Sequence, residues 1–161
     1  MSGAAAVRQR TDRKRVICVR ELTVDAKVEN AGLVADFVNA ELEAMDCPLK
    51  AQLQIDVAVD EIFSNIAYYA YRPGTGTVTI RVEKRLSPPA ALLTFTDGGK
   101  PYDPLQAEDP DTTLGVEERE IGGLGIFLVK KTMDAVRYEY RDGRNVLQIE
   151  KRLEPPLALP E

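Results

Sequence analysis

The chain has 161 residues, 44% of them hydrophobic, which at roughly 150 residues per domain is one domain with enough apolar side chains for a single core. Its 21 basic and 26 acidic residues leave a net charge of −5, so the chain lacks the positive field that holds a polyanion, and no direct nucleic-acid binding is expected. The absence of histidine excludes Ser-His-Asp and Cys-His nucleophile pairs, histidine metal sites and a phosphoacceptor histidine in this chain, leaving acid-base work to carboxylates, Lys, Tyr or Cys.

Residues 1–14, Ala-rich and then bearing Arg8, Arg10, Arg13 and Lys14, read as a disordered basic arm. The β-rich run Val16 to Leu22 predicts a strand, with Asp25 as an N-cap for a helix carrying Val28, Ala31, Val34, Phe37, Val38, Leu42 and Met45 on one stripe. After Pro48 a second stripe, Ile55, Val59, Ile62, Ile66 and Ala70, predicts a helix that ends at Pro73-Gly74. Alternation from Thr77 to Leu86 and the apolar run Ala91 to Thr96 predict two strands, the second closed by Asp97-Gly98-Gly99. The stretch from Asp103 to Ile121, with Pro104, Pro110 and Gly115 and a strongly acidic segment from Glu108 to Glu120, has no periodicity and reads as a long mobile loop. Gly122-Gly123-Leu124-Gly125 opens a helix to about Asp134, and Val136 to Arg141, the Asp142-Gly143 turn and Val146 to Arg152 form a closing hairpin. Residues 154–161 read as a disordered tail. The order β-α-α-β-β-loop-α-β-β over residues 15–153 predicts a single α+β domain, a two-layer sandwich of helices on one mostly antiparallel sheet.

Cys18 and Cys47 are far from CxxC spacing, which fits a reducing compartment. The longest uncharged run, Leu86 to Thr96, is interrupted by Pro88 and Pro89 and is shorter than the ~20 residues of a membrane span. The basic stretch Arg8 to Arg15 leads into a strand rather than a long apolar segment, so neither a signal peptide nor a membrane contact is expected and the protein should be cytoplasmic.

Three groups of residues carry chemistry. Glu61 and Asn65 stand four apart on the second helix, on one face and beside apolar Ile62 and Ile66, where a carboxylate and an amide are costly to bury unless something polar meets them. A solvated polar face is the alternative. Asp97, at the end of an apolar strand and followed by two glycines, can accept a hydrogen bond from a buried donor such as an exocyclic amine; an ordinary Asp-Gly turn is the alternative. The Gly122 to Gly125 cluster opens a helix, where free N–H groups suit a phosphate, yet it is neither a Walker A loop nor a dinucleotide fingerprint.

Taken in order, Glu61-Ile62-Phe63-Ser64-Asn65, Asp97-Gly98-Gly99 and Gly123-Leu124-Gly125 resemble the N-box and the two glycine boxes of the Bergerat (GHKL) ATP-binding fold. The short chain and the Gly-Leu-Gly-Ile-Phe-Leu-Val run are most similar to the bacterial anti-sigma-factor serine kinases, over residues 16–153. The resemblance implies ATP and Mg²⁺ as cofactors. Asn65 would reach the metal, Asp97 would accept from the adenine amino group, and Gly99 would give room for the ring. Gly123 and Gly125 would present N–H groups to the phosphates, and residues 103–121 would be the lid. It places Tyr102, Gly122, Leu124 and Asn145 among the nucleotide-binding positions, and Glu61 as the catalytic base for transfer to a serine. The implied partners are a sigma factor and a small anti-anti-sigma (STAS-type) protein, and the family tends to dimerise. The sequence departs from the family pattern at Tyr69, where histidine is frequent, at Asn145, where a small hydroxyl residue is common, and at Ile121-Gly122, where such kinases tend to carry an arginine. A nucleotide-dependent binding module without phosphotransfer is the second reading.

Overall fold

A computed structural model describes residues 16–106 and 123–153, with residues 16–18 and 123 described by their backbone alone. The expected basic arm, the tail, Gly122, and the acidic loop beyond Gln106 lie outside the described residues. The elements are β1 (Val16–Asp25), α1 (Ala31–Ala44), α2 (Leu49–Asn65), β2 (Thr77–Leu86), β3 (Pro89–Asp97), α3 (Gly123–Thr132), β4 (Ala135–Arg141) and β5 (Arg144–Arg152). The five strands form one antiparallel sheet in the order β1-β2-β3-β5-β4, with the three helices packed on it, as the sequence predicts.

Strand pairing sets which side chains meet the helices. Leu22, Ile80, Phe95 and Leu147 stand opposite one another across four strands. Val82, Leu93 and Ile149 form the next apolar row. Against these rows α1 buries Val34, Val38 and Leu42, and α2 buries Ile55, Ala58, Val59, Ile62 and Phe63. Burying each such Val, Leu, Ile or Phe contributes about 1.5–3 kcal/mol, so the central helix α2 is the most firmly held.

One row toward the other end, the same face carries Val78, Asp97 and Asn145 in register. The apolar core therefore ends in two buried polar side chains. The opposite face of the sheet is polar: Thr23 meets Thr79 at 2.8 Å, Gln148 donates to Thr94 at 3.1 Å, Arg81 lies between Glu21 and Glu83, and Glu150 lies between Arg85 and Arg137. A face covered by hydrogen bonds and ion pairs has no need of a second helical layer.

Two expectations are corrected. Asp25 is no helix cap: it ends β1, paired with Thr77, and α1 begins only after a 3₁₀ turn, Val28–Asn30, with the Asn30 amide donating to the Asp25 carbonyl. The second helix does not continue as an α-helix to Pro73; it widens into a π-turn at Ile66–Ala70, a change that a five-residue stretch of hydrophobic spacing cannot register. The Asp142-Gly143 hairpin turn is present, both residues having positive φ.

Candidate functional site

The site draws on the C-terminal ends of α2 and β3 and on the starts of α3 and β5. Glu61 and Asn65 lie one turn apart near the C-terminal end of α2, both half-buried. Gly125 is in the first turn of α3, and a Cβ there would strike the Glu61 carboxylate. The structure thus brings the Glu-x-x-x-Asn helix and the glycine cluster into contact, Glu61 against Gly125, although they are far apart in sequence. Gly123 and Gly125 add no side chains of their own to the first turn of α3, Leu124 between them is exposed, and the Glu61 carboxylate lies against Gly125. The first N–H groups of α3 have no partner within the helix and carry its positive end.

Asp97 is 5% exposed and Asn145 6%. The Asp97 Oδ1 accepts from the backbone N–H of Gly99 at 2.9 Å and from the Asn145 amide nitrogen at 3.0 Å. No described residue donates to its Oδ2. Among the described residues, then, one oxygen of this buried residue's carboxylate is satisfied and the other can still accept a hydrogen bond. The remaining valences of Asn145 are taken internally: Nδ2 also donates to the Lys100 carbonyl at 2.8 Å, while Oδ1 accepts from the Tyr102 N–H at 3.0 Å and the Tyr138 hydroxyl at 2.5 Å. Burial pushes the Tyr138 hydroxyl pKa up, with the nearby Asp103 and Asp97 carboxylates adding to the rise, so it remains a donor. The Tyr102 side chain is exposed, and its contribution to this network is its backbone.

Gly99 has a reason for being glycine other than leaving room for a ring. A Cβ there would strike the backbone carbonyl of Ala70, to which the next residue, Lys100, donates its N–H at 2.9 Å. Beside it the Tyr71 hydroxyl accepts from the Gly98 N–H at 2.7 Å and donates to the Thr77 carbonyl at 2.5 Å. The Asp97 loop is thereby fastened to the end of the π-turn, five residues beyond Asn65. Tyr71 and Tyr138 were not legible as site residues, because nothing in the local pattern separates a clamping tyrosine from one that fills space.

The helix carrying Glu61 and Asn65 leads through its π-turn to Asp97, and its Glu61 meets the glycine-opened helix. A model of the histidine kinase-like ATPase domain matches residues 24–151. The chain belongs to that family. The serine/threonine-protein kinase BtrW of Bordetella bronchiseptica is 29% identical over 106 residues, which are 66% of this chain and 74% of that one. The fold is similar to a structure of the RsbU and RsbW domains of Rv1364c from Mycobacterium tuberculosis, with a TM-score of 0.60 and 14% identity over 84% of this chain. This chain spans 33% of that longer one.

The residues present fit a nucleotide carrying its own metal. Asp97 Oδ2, which accepts from no described residue, is an acceptor of the kind a base amino group needs, and α3 opens with N–H groups of the kind that suit phosphate. Asn65 offers a neutral oxygen, suited to a hard cation whose other ligands are phosphate oxygens and water. No cluster of three or more Cys, Asp or Glu residues among those described could hold a metal ion unaided. Nor is any described helix long and apolar enough to cross a membrane. The Cys47 thiol is free, and burial together with the Asp56 charge pushes its pKa up, away from thiolate reactivity.

Proposed function

We propose that this protein binds MgATP and transfers its γ-phosphate to a serine or threonine of a partner protein, in the manner of an anti-sigma-factor kinase. The observation that carries this reading is the close approach of Glu61 to Gly125, which puts a carboxylate beside the glycine-opened start of α3. Asp97 accepts from the adenine amino group, Gly99 and Asn145 hold that carboxylate, and Gly123 and Gly125 present backbone N–H groups to phosphate oxygens. Asn65 supplies an oxygen ligand to the metal, which when bound offsets the negative charge of the phosphates. Glu61 takes the proton from the partner's hydroxyl as that oxygen bonds to the γ-phosphorus; the bond from phosphorus to the bridging oxygen breaks and ADP leaves. The partners that fit such an activity are a sigma factor, held by this protein, and a small STAS-type anti-anti-sigma protein as phosphoacceptor. BtrW, named a serine/threonine-protein kinase, supports the enzymatic half of the reading.

The test is incubation with labelled MgATP and candidate partners, followed by detection of phosphoserine or phosphothreonine. Glu61→Gln keeps the side-chain shape but cannot take a proton, so transfer should fall roughly 10²–10⁴-fold with ATP affinity little changed. Transfer at the wild-type rate by this variant would remove Glu61 from the mechanism.

A second reading, a nucleotide-gated binding module, is favoured by Ile121-Gly122 standing where an arginine is expected ahead of the glycine box. In that case neither wild type nor Glu61→Gln phosphorylates any partner, and both hold it more tightly with ATP.

A further inference from the structure

We infer that Asn145 is a positioning residue that sets the base selectivity of the nucleotide site through Asp97, with Tyr138 as its anchor. The inference rests on the reading of Asp97 as the acceptor for the adenine amino group. An asparagine amide can present either its oxygen or its nitrogen to a neighbour, and only the nitrogen suits a carboxylate. Here the choice is forced by two groups that cannot change role. The Tyr102 backbone N–H is a donor only and meets Oδ1; the Lys100 carbonyl is an acceptor only and meets Nδ2. The Tyr138 hydroxyl, free to turn, then donates its proton to Oδ1 and fills the last site.

With all four positions of Asn145 occupied inside the protein, its amide has none left for a ligand. It acts by donating to Asp97 Oδ1, which together with the Gly99 N–H fixes the carboxylate plane and leaves Oδ2 as the carboxylate oxygen with no donor among the described residues. A fixed acceptor suits a base bearing an exocyclic amine and repels one bearing a carbonyl oxygen at that position, so the strand β5 residue governs which purine is accepted. The chain of contacts runs from Tyr138 on β4 through Asn145 on β5 to Asp97 on β3, across three neighbouring strands.

The experiment measures binding of ATP and of purine riboside triphosphate, which lacks the 6-amino group, by calorimetry. Wild type should prefer ATP by about 10–100-fold. Asn145→Ala should weaken ATP about tenfold and leave the analogue within about twofold, and in an Asp97→Ala background it should cost nothing further. Tyr138→Phe, which preserves the ring, should show the same pattern at about threefold. Asn145→Thr, retaining one donor, should recover part of the preference. Equal weakening of both nucleotides by Asn145→Ala and Tyr138→Phe, or losses that add to that of Asp97→Ala, would overturn the positioning role while leaving Asp97 as acceptor. A wild type that binds the two nucleotides equally would instead remove the adenine reading of Asp97, and this inference with it.

Discussion

Two glycines of the site are glycine for different mechanical reasons, and their replacement should separate stability from activity. At Gly99 a methyl group meets the Ala70 backbone, which is held in turn by the Lys100 N–H, so neither side can yield cheaply. Gly99→Ala should destabilise the fold by roughly 1–3 kcal/mol, read as a lower urea midpoint with unchanged slope. At Gly125 the obstructing atoms are the far end of the flexible Glu61 side chain, which can swing aside. Gly125→Ala should therefore cost less than about 1 kcal/mol in stability yet reduce phosphotransfer, because the carboxylate leaves its place. An equal urea shift for the two variants would refute this division. Asp97 was legible from its place after an apolar strand and before glycines. The contact that makes Gly99 obligatory was not, since a glycine in a sequence announces a close approach without naming what approaches. Asp97→Ala should weaken ATP and ADP alike by about one to two decades, the effect of leaving an exocyclic amine unpaired in a desolvated pocket at roughly 1–3 kcal/mol, measurable by calorimetry.

At the level of elements, the helical stripes and the alternating strands were readable because each is a one-dimensional period set by burial on one face. The π-turn at Ile66–Ala70 was not, although it delivers the Ala70 carbonyl to Lys100 and the Tyr71 hydroxyl to Gly98 and Thr77. Tyr71→Phe keeps the ring against Gly76 but leaves that N–H and that carbonyl without partners; it should lower stability by about 1–2 kcal/mol in urea unfolding. The seam between α1 and α2 holds a second feature beyond the reach of pattern. Gln52 donates to Asn39 at 2.8 Å, and beside them Asp56 has one buried oxygen without a partner. Desolvation raises the Asp56 pKa above its ordinary 3.8, and a hydrogen bond from Asn39 only partly opposes it. A carboxyl whose folded pKa is raised binds its proton more tightly folded than unfolded, so its charge weakens the fold as pH climbs above 3.8, and the cost is absent below that value. Asp56→Asn should be the more stable protein at neutral pH, with the difference shrinking as pH falls toward 3.8; a difference that is constant across that range would show that the Asp56 charge is already well solvated.

On the scale of the whole molecule, the fold was legible as an order of elements, and the site as an order of short motifs, but their meeting point was not. Residues 97 and 145 meet because the antiparallel register carries the helix-facing row from Val78 into Asp97 and Asn145, and residues 61 and 125 meet because the start of α3 packs on the last turns of α2. A nucleotide bridging α2, β3, α3 and β5 joins segments spread from residue 61 to residue 145, so its binding energy opposes unfolding of the domain as a unit. At 100 times its dissociation constant a ligand confined to the folded state adds about 2.7 kcal/mol. For a chain of this length a change of 1 kcal/mol moves the melting temperature by roughly 2–4 °C, so saturating MgATP should raise it by about 5–10 °C. Asp97→Ala at the same ATP concentration should lose most of that rise, and Glu61→Gln should retain it, since the carboxylate acts on the partner's proton rather than on nucleotide affinity. Thermal denaturation of the three proteins with and without MgATP decides the matter: equal stabilisation of wild type and Asp97→Ala would place the nucleotide away from the end of β3.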